Sequence, residues 1–254
     1  MRMLSVVTIT LNEAERLERC RRSIEWAGEW VVVDSGSTDG TVALARRLSA
    51  RVYERPFDNF SNQKNYAVEQ ARGDWVLMLD ADERVSPGLR DEIELVLRRA
   101  DGPSCYAMPR QNMHFGRWLK YGGQYPDWSY RLFRKGTAHL VGDVHEQLEY
   151  LGDAGRLRHP IVHHSFPTLA DWIRKMDRQT THEAGFAFER GARASWADVT
   201  LRPVYWFLRM YIAQRGFLDG GAGFVHSVCT FICIFFRYAK LRELRTRRAG
   251  GSNL

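Results

Sequence analysis

The 254-residue sequence holds only four cysteines, Cys20, Cys105, Cys229 and Cys233, and no two of them form a CxxC pair. No histidine spacing completes a zinc site with them, which argues against a zinc-stapled or disulfide-stapled scaffold; free thiols in a reducing compartment are expected. Residues 1 to 9 lack the apolar stretch and cleavage site of a secretory signal, so a cytoplasmic location is the default expectation. No apolar run reaches the roughly 20 residues that cross a bilayer. The strongest, Phe224 to Phe236, is preceded by Gly216, Asp219, Gly220, Gly221 and Gly223, and these predict a break rather than a span. A glycine-rich phosphate loop is missing after the first strand-like segment, where Thr10-Leu11-Asn12-Glu13 stands instead. That counts against a nucleotidyltransferase making sugar nucleotides. Internal repeats and low-complexity segments are absent as well.

Acid does not match base: 37 Lys and Arg stand against 30 Asp and Glu, a net charge of +7. Such a balance suits a polyanionic partner, whether nucleic acid, an anionic membrane or a phosphorylated substrate, and composition does not choose among them. Hydrophobic residues make up 44% and charged residues 26%, which is the make-up of a globular chain. The length suits one large domain, or one domain with a helical extension.

Strand and helix signals alternate through the first hundred residues. Val6 to Ile9, Trp30 to Val33, Val52-Tyr53 and Trp75 to Leu79 read as strands, the last an uninterrupted apolar run of the kind covered on both faces. Glu13 to Ile24, Thr41 to Leu48 and Asn62 to Ala71 read as helices, and Ser86 with Pro87 marks the start of another that reaches about Arg99. This βαβαβαβ order predicts an α/β fold with a doubly wound, mostly parallel sheet. Cys105 to His164 is rich in aromatics, glycine and histidine, with short strand-like pieces, and reads as an irregular region attached to the sheet. Helical patterning resumes from Leu169. The expected division is a domain over residues 1–165, with halves at 1–100 and 101–165, followed by a helical extension over 166–254.

Ligands of doubly wound sheets bind beyond the carboxyl ends of the strands. Four polar clusters fall there: Thr10 to Glu13, Asp34 to Asp39, Gln63-Lys64-Asn65, and Asp80-Ala81-Asp82-Glu83. Asp80 and Asp82 flank one small residue directly after the most apolar strand. Read as an extended segment, they point to the same side and offer hard oxygens to Mg²⁺ or Mn²⁺, cations that take one or two carboxylates plus phosphate oxygens. The plainer alternative is a solvated acidic turn that caps the following helix. Asp34 can bond a base or ribose edge, or else simply open the Ser-Gly-Ser-Thr turn. Lys64 can pair with phosphate or be an ordinary solvated helix lysine.

Three segments together, Ser5-Val-Val-Thr-Ile-Thr-Leu-Asn-Glu13, Val31-Val-Val-Asp-Ser-Gly-Ser-Thr-Asp-Gly-Thr41 and Leu77-Met-Leu-Asp-Ala-Asp-Glu83, resemble the donor half of family 2 glycosyltransferases with the GT-A fold, over roughly residues 4 to 150. The resemblance implies a Rossmann-like nucleotide-binding half, an inverting transfer, and a nucleotide-diphospho-sugar donor, usually a UDP-sugar. It places Thr8 and Asp34 near the uridine, Asn12, Glu13 and Lys64 along the nucleotide pocket, Asp82 on the metal, and Asp80 close to the sugar-nucleotide and the metal. Gly123-Gln-Tyr-Pro-Asp127, Arg131-Leu-Phe-Arg134, Val144-His-Glu146 and Gly216-Phe-Leu-Asp-Gly220 are similar to the lipopolysaccharide core glucosyltransferase type within that family, with Gln124 where that type has tryptophan. This implies a glycolipid or oligosaccharide acceptor, lipopolysaccharide inner core above all, and a position at the cytoplasmic face of the inner membrane.

An inverting transfer needs a general base for the acceptor hydroxyl. Asp127, Asp143 and Glu146 are the candidates, and Glu146 is preferred because Val-His-Glu matches the segment where the lipopolysaccharide type places an acid. His145 can face metal or phosphate, or be structural. Arg131 and Arg134 can clamp an anionic group or remain solvated. His159, His163 and His164 match no zinc spacing. Apolar helical stretches at Val204 to Ala213 and Phe224 to Phe236 lie beside arginines, as suits peripheral contact with an anionic membrane, although a packed helical pair with a basic tail reads equally from the pattern. A non-catalytic basic module binding membrane or nucleic acid would not need paired carboxylates at a strand end, so no nucleic-acid partner is expected.

Overall fold

The computed structural model of the chain describes residues 2–142 and 146–250. The chain divides into two compact units, one of residues 1–110 with 127–163 and one of residues 111–126 with 164–254.

The first unit opens with the expected alternation: β1 (Leu4–Thr10), α1 (Ala14–Ser23), β2 (Glu29–Asp34), α2 (Thr41–Arg47), β3 (Arg51–Glu54), α3 (Phe60–Gln70) and β4 (Trp75–Met78). These strands lie parallel in the order β3-β2-β1-β4. Helices cover both faces, which is why β1, β2 and β4 are largely apolar and buried, while the edge strand β3 is mixed. On one face Leu17, Cys20 and Ile24 pack with Val6, Val32 and Leu77. On the other, Ala67, Val68 and Ala71 pack with Val7, Val31 and Val33. After β5 (Glu83–Val85), α4 (Pro87–Arg98) starts as its sequence demands: the Ser86 hydroxyl accepts from the Leu89 N–H, and Pro87 takes the first turn, where no N–H is needed.

Strand-like pieces of the following stretch join the sheet as full strands. The stretch contains β6 (Cys105–His114), β7 (Arg117–Trp118), β8 (Asp127–Arg134), β9 (Ala138–Val141), β10 (Gln147–Tyr150), β11 (Ala154–Arg156) and β12 (Ile161–Phe166). Strand β8 runs antiparallel beside β4, and β6 runs antiparallel beside β8. The sheet therefore continues past β4, in the full order β3-β2-β1-β4-β8-β6-β12-β5. The hairpin of β9 and β10 stands apart as a two-stranded sheet whose Leu140 and Leu148 pack on the α3 side of the core.

The second unit holds α5 (Leu169–Glu189), α6 (Trp196–Leu208), a π-helical turn at Arg209–Ala213, a 3₁₀ turn at Gly216–Asp219 and α7 (Gly220–Gly250). Both α5 and α6 begin with capping boxes, Thr168 with Asp171 and Ser195 with Asp198. Residues 111–126 belong here because the Asp219 carboxylate accepts the backbone N–H groups of Lys120 and Tyr121, and Gly122 N–H bonds to Gln214 O at 2.9 Å. The glycines before Phe224 mark a joint: the 3₁₀ turn ends at Gly220, whose φ of 61° is not helical, and α7 runs on from there. A Cβ at Gly223 would lie 2.0 Å from Gly216 O, so the missing side chain permits the close approach of turn and helix. Gly216–Arg248, 33 residues, is long and apolar enough to cross a membrane by length and composition.

Candidate active site

The carboxyl ends of β1 and β2 coincide, with Thr10 opposite Asp34. Asp34 is completely buried. Its Oδ1 accepts the N–H groups of Gly36 and Ser37 at 3.0 and 2.7 Å, and its Oδ2 accepts the hydroxyls of Thr10 and Ser37 at 2.7 and 2.5 Å. These bonds shape the β2–α2 loop. Asn12, in a left-handed conformation at φ 56°, joins the β1–α1 loop to it: its N–H donates to Ser37 Oγ and its Oδ1 accepts the Thr38 N–H. The Glu13 N–H donates to Thr41 Oγ1. Thr8 is not brought to this cluster. Its hydroxyl accepts the Trp30 indole N–H at 2.9 Å inside the core, and Thr10 supplies the hydroxyl beside Asp34 instead.

Beyond β4 the chain turns tightly. Glu83 N–H bonds back to Asp80 O, and Glu83 Oε2 accepts the Asp80 N–H at 3.0 Å. In this turn both aspartates meet nitrogen-bearing side chains of neighbouring elements. Asp80 meets Lys64 Nζ at 3.6 Å and Arg131 Nη2 at 3.1 Å. Asp82 meets His163 Nε2 at 3.5 Å, and His163 stands opposite Glu83 where β12 pairs with β5. Arg131 also reaches Glu83 at 3.2 Å, and Arg110 approaches Glu83 at 3.8 Å. Burial alone would raise the Asp80 carboxyl, but Lys64 and Arg131 hold it well below the usual carboxylate range. Burial pushes the Glu83 carboxyl up. The Arg131 guanidinium is disfavoured by burial and held charged by Glu83 and Asp80.

Arg131 is thus a buried cation serving two carboxylates, one of them with no exposure. Removing one partner of such a group leaves uncompensated charge, so Arg131→Met should lose about 3–5 kcal/mol of stability. Urea denaturation measures it; a loss below about 1 kcal/mol would mean that Arg110 already suffices for Glu83.

A cavity of about 480 Å³ opens beside this cluster, with Lys64, Arg110, Trp128, Tyr130, Arg131 and Glu146 in its lining. Glu146 Oε1 takes the Lys64 ammonium at 2.7 Å, while its Oε2 is buried with no hydrogen-bond partner among the described residues. Asp127 does not line the cavity; Arg110 holds it through Nη2 and Nε at 2.6 and 2.8 Å. Asp143 and His145 lie outside the described residues. The structure therefore unites Lys64, Asp80 and Glu146, keeps Asp82 on the same turn, and joins Asn12, Glu13 and Asp34 at the neighbouring strand ends.

Among the described residues, no three or more His, Cys, Asp or Glu side chains gather into a metal cage. The carboxylates of the Asp80–Asp82 turn still fit Mg²⁺ or Mn²⁺, because such cations bind through one or two carboxylates and draw their other ligands from phosphate and water. Arg110, Glu83 and His163 went unread as a group in the sequence. Their nearness depends on β6, β8 and β12 joining the sheet, and only strand register reveals it.

The glycosyl transferase family 2 model matches residues 5–147, more than half of the chain. The chain belongs to glycosyl transferase family 2. A lipopolysaccharide core biosynthesis glycosyltransferase, LpsC of Rhizobium meliloti (strain 1021), is 30% identical over 254 residues, covering 97% of this chain and 94% of that one. An uncharacterized glycosyltransferase of Rickettsia felis is 29% identical over 258 residues, covering 96% and 90%. A mannosyltransferase of Pyrobaculum calidifontis, solved with GDP-Man and Mn²⁺, superposes with a TM-score of 0.53 at 17% identity, covering 94% of this chain and 87% of that one; this likeness is one of fold. The protein is a glycosyltransferase with the GT-A fold. The family match ends just past Glu146. The two relatives in sequence run on through the helices, so the second unit is part of what these glycosyltransferases share.

Proposed function

We propose that this glycosyltransferase moves a hexose, with inversion, from a UDP-sugar to a glycolipid or oligosaccharide acceptor of the lipopolysaccharide inner core, at the cytoplasmic face of an anionic inner membrane. The observation that carries the reading is Glu146, which lines a cavity together with Lys64, itself 3.6 Å from Asp80, and whose buried Oε2 has no partner among the described residues. Glu146 takes the proton of the acceptor hydroxyl through that oxygen while the hydroxyl oxygen bonds to the anomeric carbon. The bond from that carbon to the diphosphate breaks, and the electron pair leaves with the nucleoside diphosphate. Asp82, with Asp80 beside it, would hold Mg²⁺ or Mn²⁺; that cation would offset the charge of the leaving diphosphate. The loops knitted by Asn12, Glu13 and Asp34 flank the nucleotide, and Lys64 orients Glu146 and faces the phosphates. Thr8 has no part in this assignment, since its hydroxyl is committed to Trp30. Residues 1–165 carry the transfer, with the donor half at 1–100 and the acceptor side at 101–165, and 166–254 form a helical, membrane-associated extension. The name of the LpsC relative supports the acceptor class.

Thermal shift across a panel of nucleotide sugars tests the donor. A UDP-hexose should stabilise the protein by about 2–3 kcal/mol at a hundredfold excess over its dissociation constant. Chelation of divalent metal should remove most of that gain. Stabilisation by a nucleotide sugar that survives chelation would overturn the metal assignment. Pyrophosphate release from a nucleoside triphosphate and a sugar phosphate would overturn the reaction class.

A further inference from the structure

Helix α6 carries two apolar faces, and its own unit covers only one. Val199, Pro203 and, past the helix end, Met210 are buried. Leu201, Val204, Tyr205, Leu208 and Ile212 recur at helical spacing and are 67%, 44%, 58%, 46% and 57% exposed. At 3.6 residues per turn the two sets fall on opposite sides of the helix. Phe217 and Leu218 in the following 3₁₀ turn are also about half exposed, at 47% and 52%, and the Phe217 ring meets that of Tyr211 edge-on at 6.3 Å. Scattered exposed leucines are normal on a soluble protein, but a continuous stripe of this length marks a contact surface.

The charge around the stripe selects its partner. Between residues 196 and 218 the bases are Arg202, Arg209 and Arg215, against the single acid Asp198. That acid is already committed to the Ser195 cap and to Arg202 at 2.5 Å. Apolar and aromatic side chains in a row, bordered by arginines, match the interface of a bilayer with anionic headgroups. Two copies meeting through the same face would bring these arginines towards their own counterparts. A helix of 13 residues is about 20 Å long and too short to span the hydrocarbon, so it would lie in the plane of the surface. The longer α7 is tied down along its charged half: Lys240 pairs with Asp177 at 2.7 Å, Arg237 with Glu183 at 3.4 Å, and Arg242 donates to Ala194 O.

We propose that the outer stripe of α6, continued by Ile212, Phe217 and Leu218, docks the protein flat on an anionic lipid surface. Docking of this kind is independent of the donor and the catalytic residues, so its failure would leave the transferase reading intact. Full-length protein is sedimented with vesicles of mixed phosphatidylcholine and phosphatidylglycerol, and with phosphatidylcholine alone. The wild type should pellet with the anionic vesicles and much less with the neutral ones. Leu201→Ser with Leu208→Ser should weaken binding about tenfold or more. Arg209→Gln with Arg215→Gln should cost roughly fivefold per arginine on anionic vesicles only. All four side chains are exposed, so both variants should keep the wild-type unfolding midpoint. A wild type that stays in solution with either vesicle, or a leucine variant that pellets as the wild type does, would overturn the proposal. So would a vesicle-bound form that resists alkaline carbonate extraction, which would mean a spanning helix. A concentration-dependent dimer in light scattering, dispersed by the leucine variant, would assign the stripe to a second copy.

Discussion

Asp82→Ala should abolish sugar transfer, lowering turnover about 10³-fold or more, while the protein stays folded. Part of that estimate is chemistry: losing several kcal/mol of charge stabilisation at a departing diphosphate corresponds to this factor, at about 1.4 kcal/mol per tenfold. The other part is structural. The core of the turn is Ala81, which is 5% exposed, and the Asp80 and Glu83 backbone bonds close it. The Asp82 carboxylate is 14% exposed and lies 3.5 Å from His163 Nε2, beyond the usual hydrogen-bond distance. Asp80 offers no such clean test, because its carboxylate faces two cations, Lys64 and Arg131, and its removal would unbalance the buried cluster as well as the chemistry. Comparing kcat with the urea midpoint for Asp82→Ala separates the two roles. Near-normal turnover in that variant would sink the metal assignment, and loss of folding would return Asp82 to a structural role.

The donor half could be read from the sequence because its signals are local. Each strand from β1 to β4 is a short apolar run bounded by turn residues, and α3 and α4 carry their own caps in Asn59 and Ser86. The clusters at the strand ends follow from chain order alone, and that order brought Asn12, Asp34 and Asp80 into view. What failed was non-local. Pro109, Arg110, Gln111 and Asn112 give β6 no clean alternation, yet the strand forms because β8 lies beside it. The Arg110–Asp127 pair exists because that register sets the two residues opposite each other. Thr8 and Thr10 share one face of β1, so pattern alone cannot separate them; two residues, about 7 Å along a strand, divide a hydroxyl inside the core from one at its edge. The break expected at the glycines before Phe224 is present at Gly220, with φ 61°, whereas the close approach of Gly216 to Gly223 is invisible in sequence.

Glu146→Gln should keep the donor site and lose the reaction. The amide preserves the size of the side chain and an oxygen for the Lys64 ammonium, now 2.7 Å from Oε1, but it cannot take a proton. Loss of a positioned general base lowers turnover by about 10²–10⁴-fold. Binding of the nucleotide sugar should change much less, since the loops around Asn12 and Asp34 do not involve Glu146. Asp127→Asn is the matched control. Asp127 lies outside the cavity lining and is held by Arg110 through two short bonds, so its neutralisation should loosen Arg110 and leave turnover within about tenfold of the wild type. If Asp127→Asn instead removes turnover with donor binding intact, and Glu146→Gln does not, the base belongs to the β8 carboxylate. The buried Oε2 of Glu146 would then be a feature of the cavity wall rather than of the chemistry.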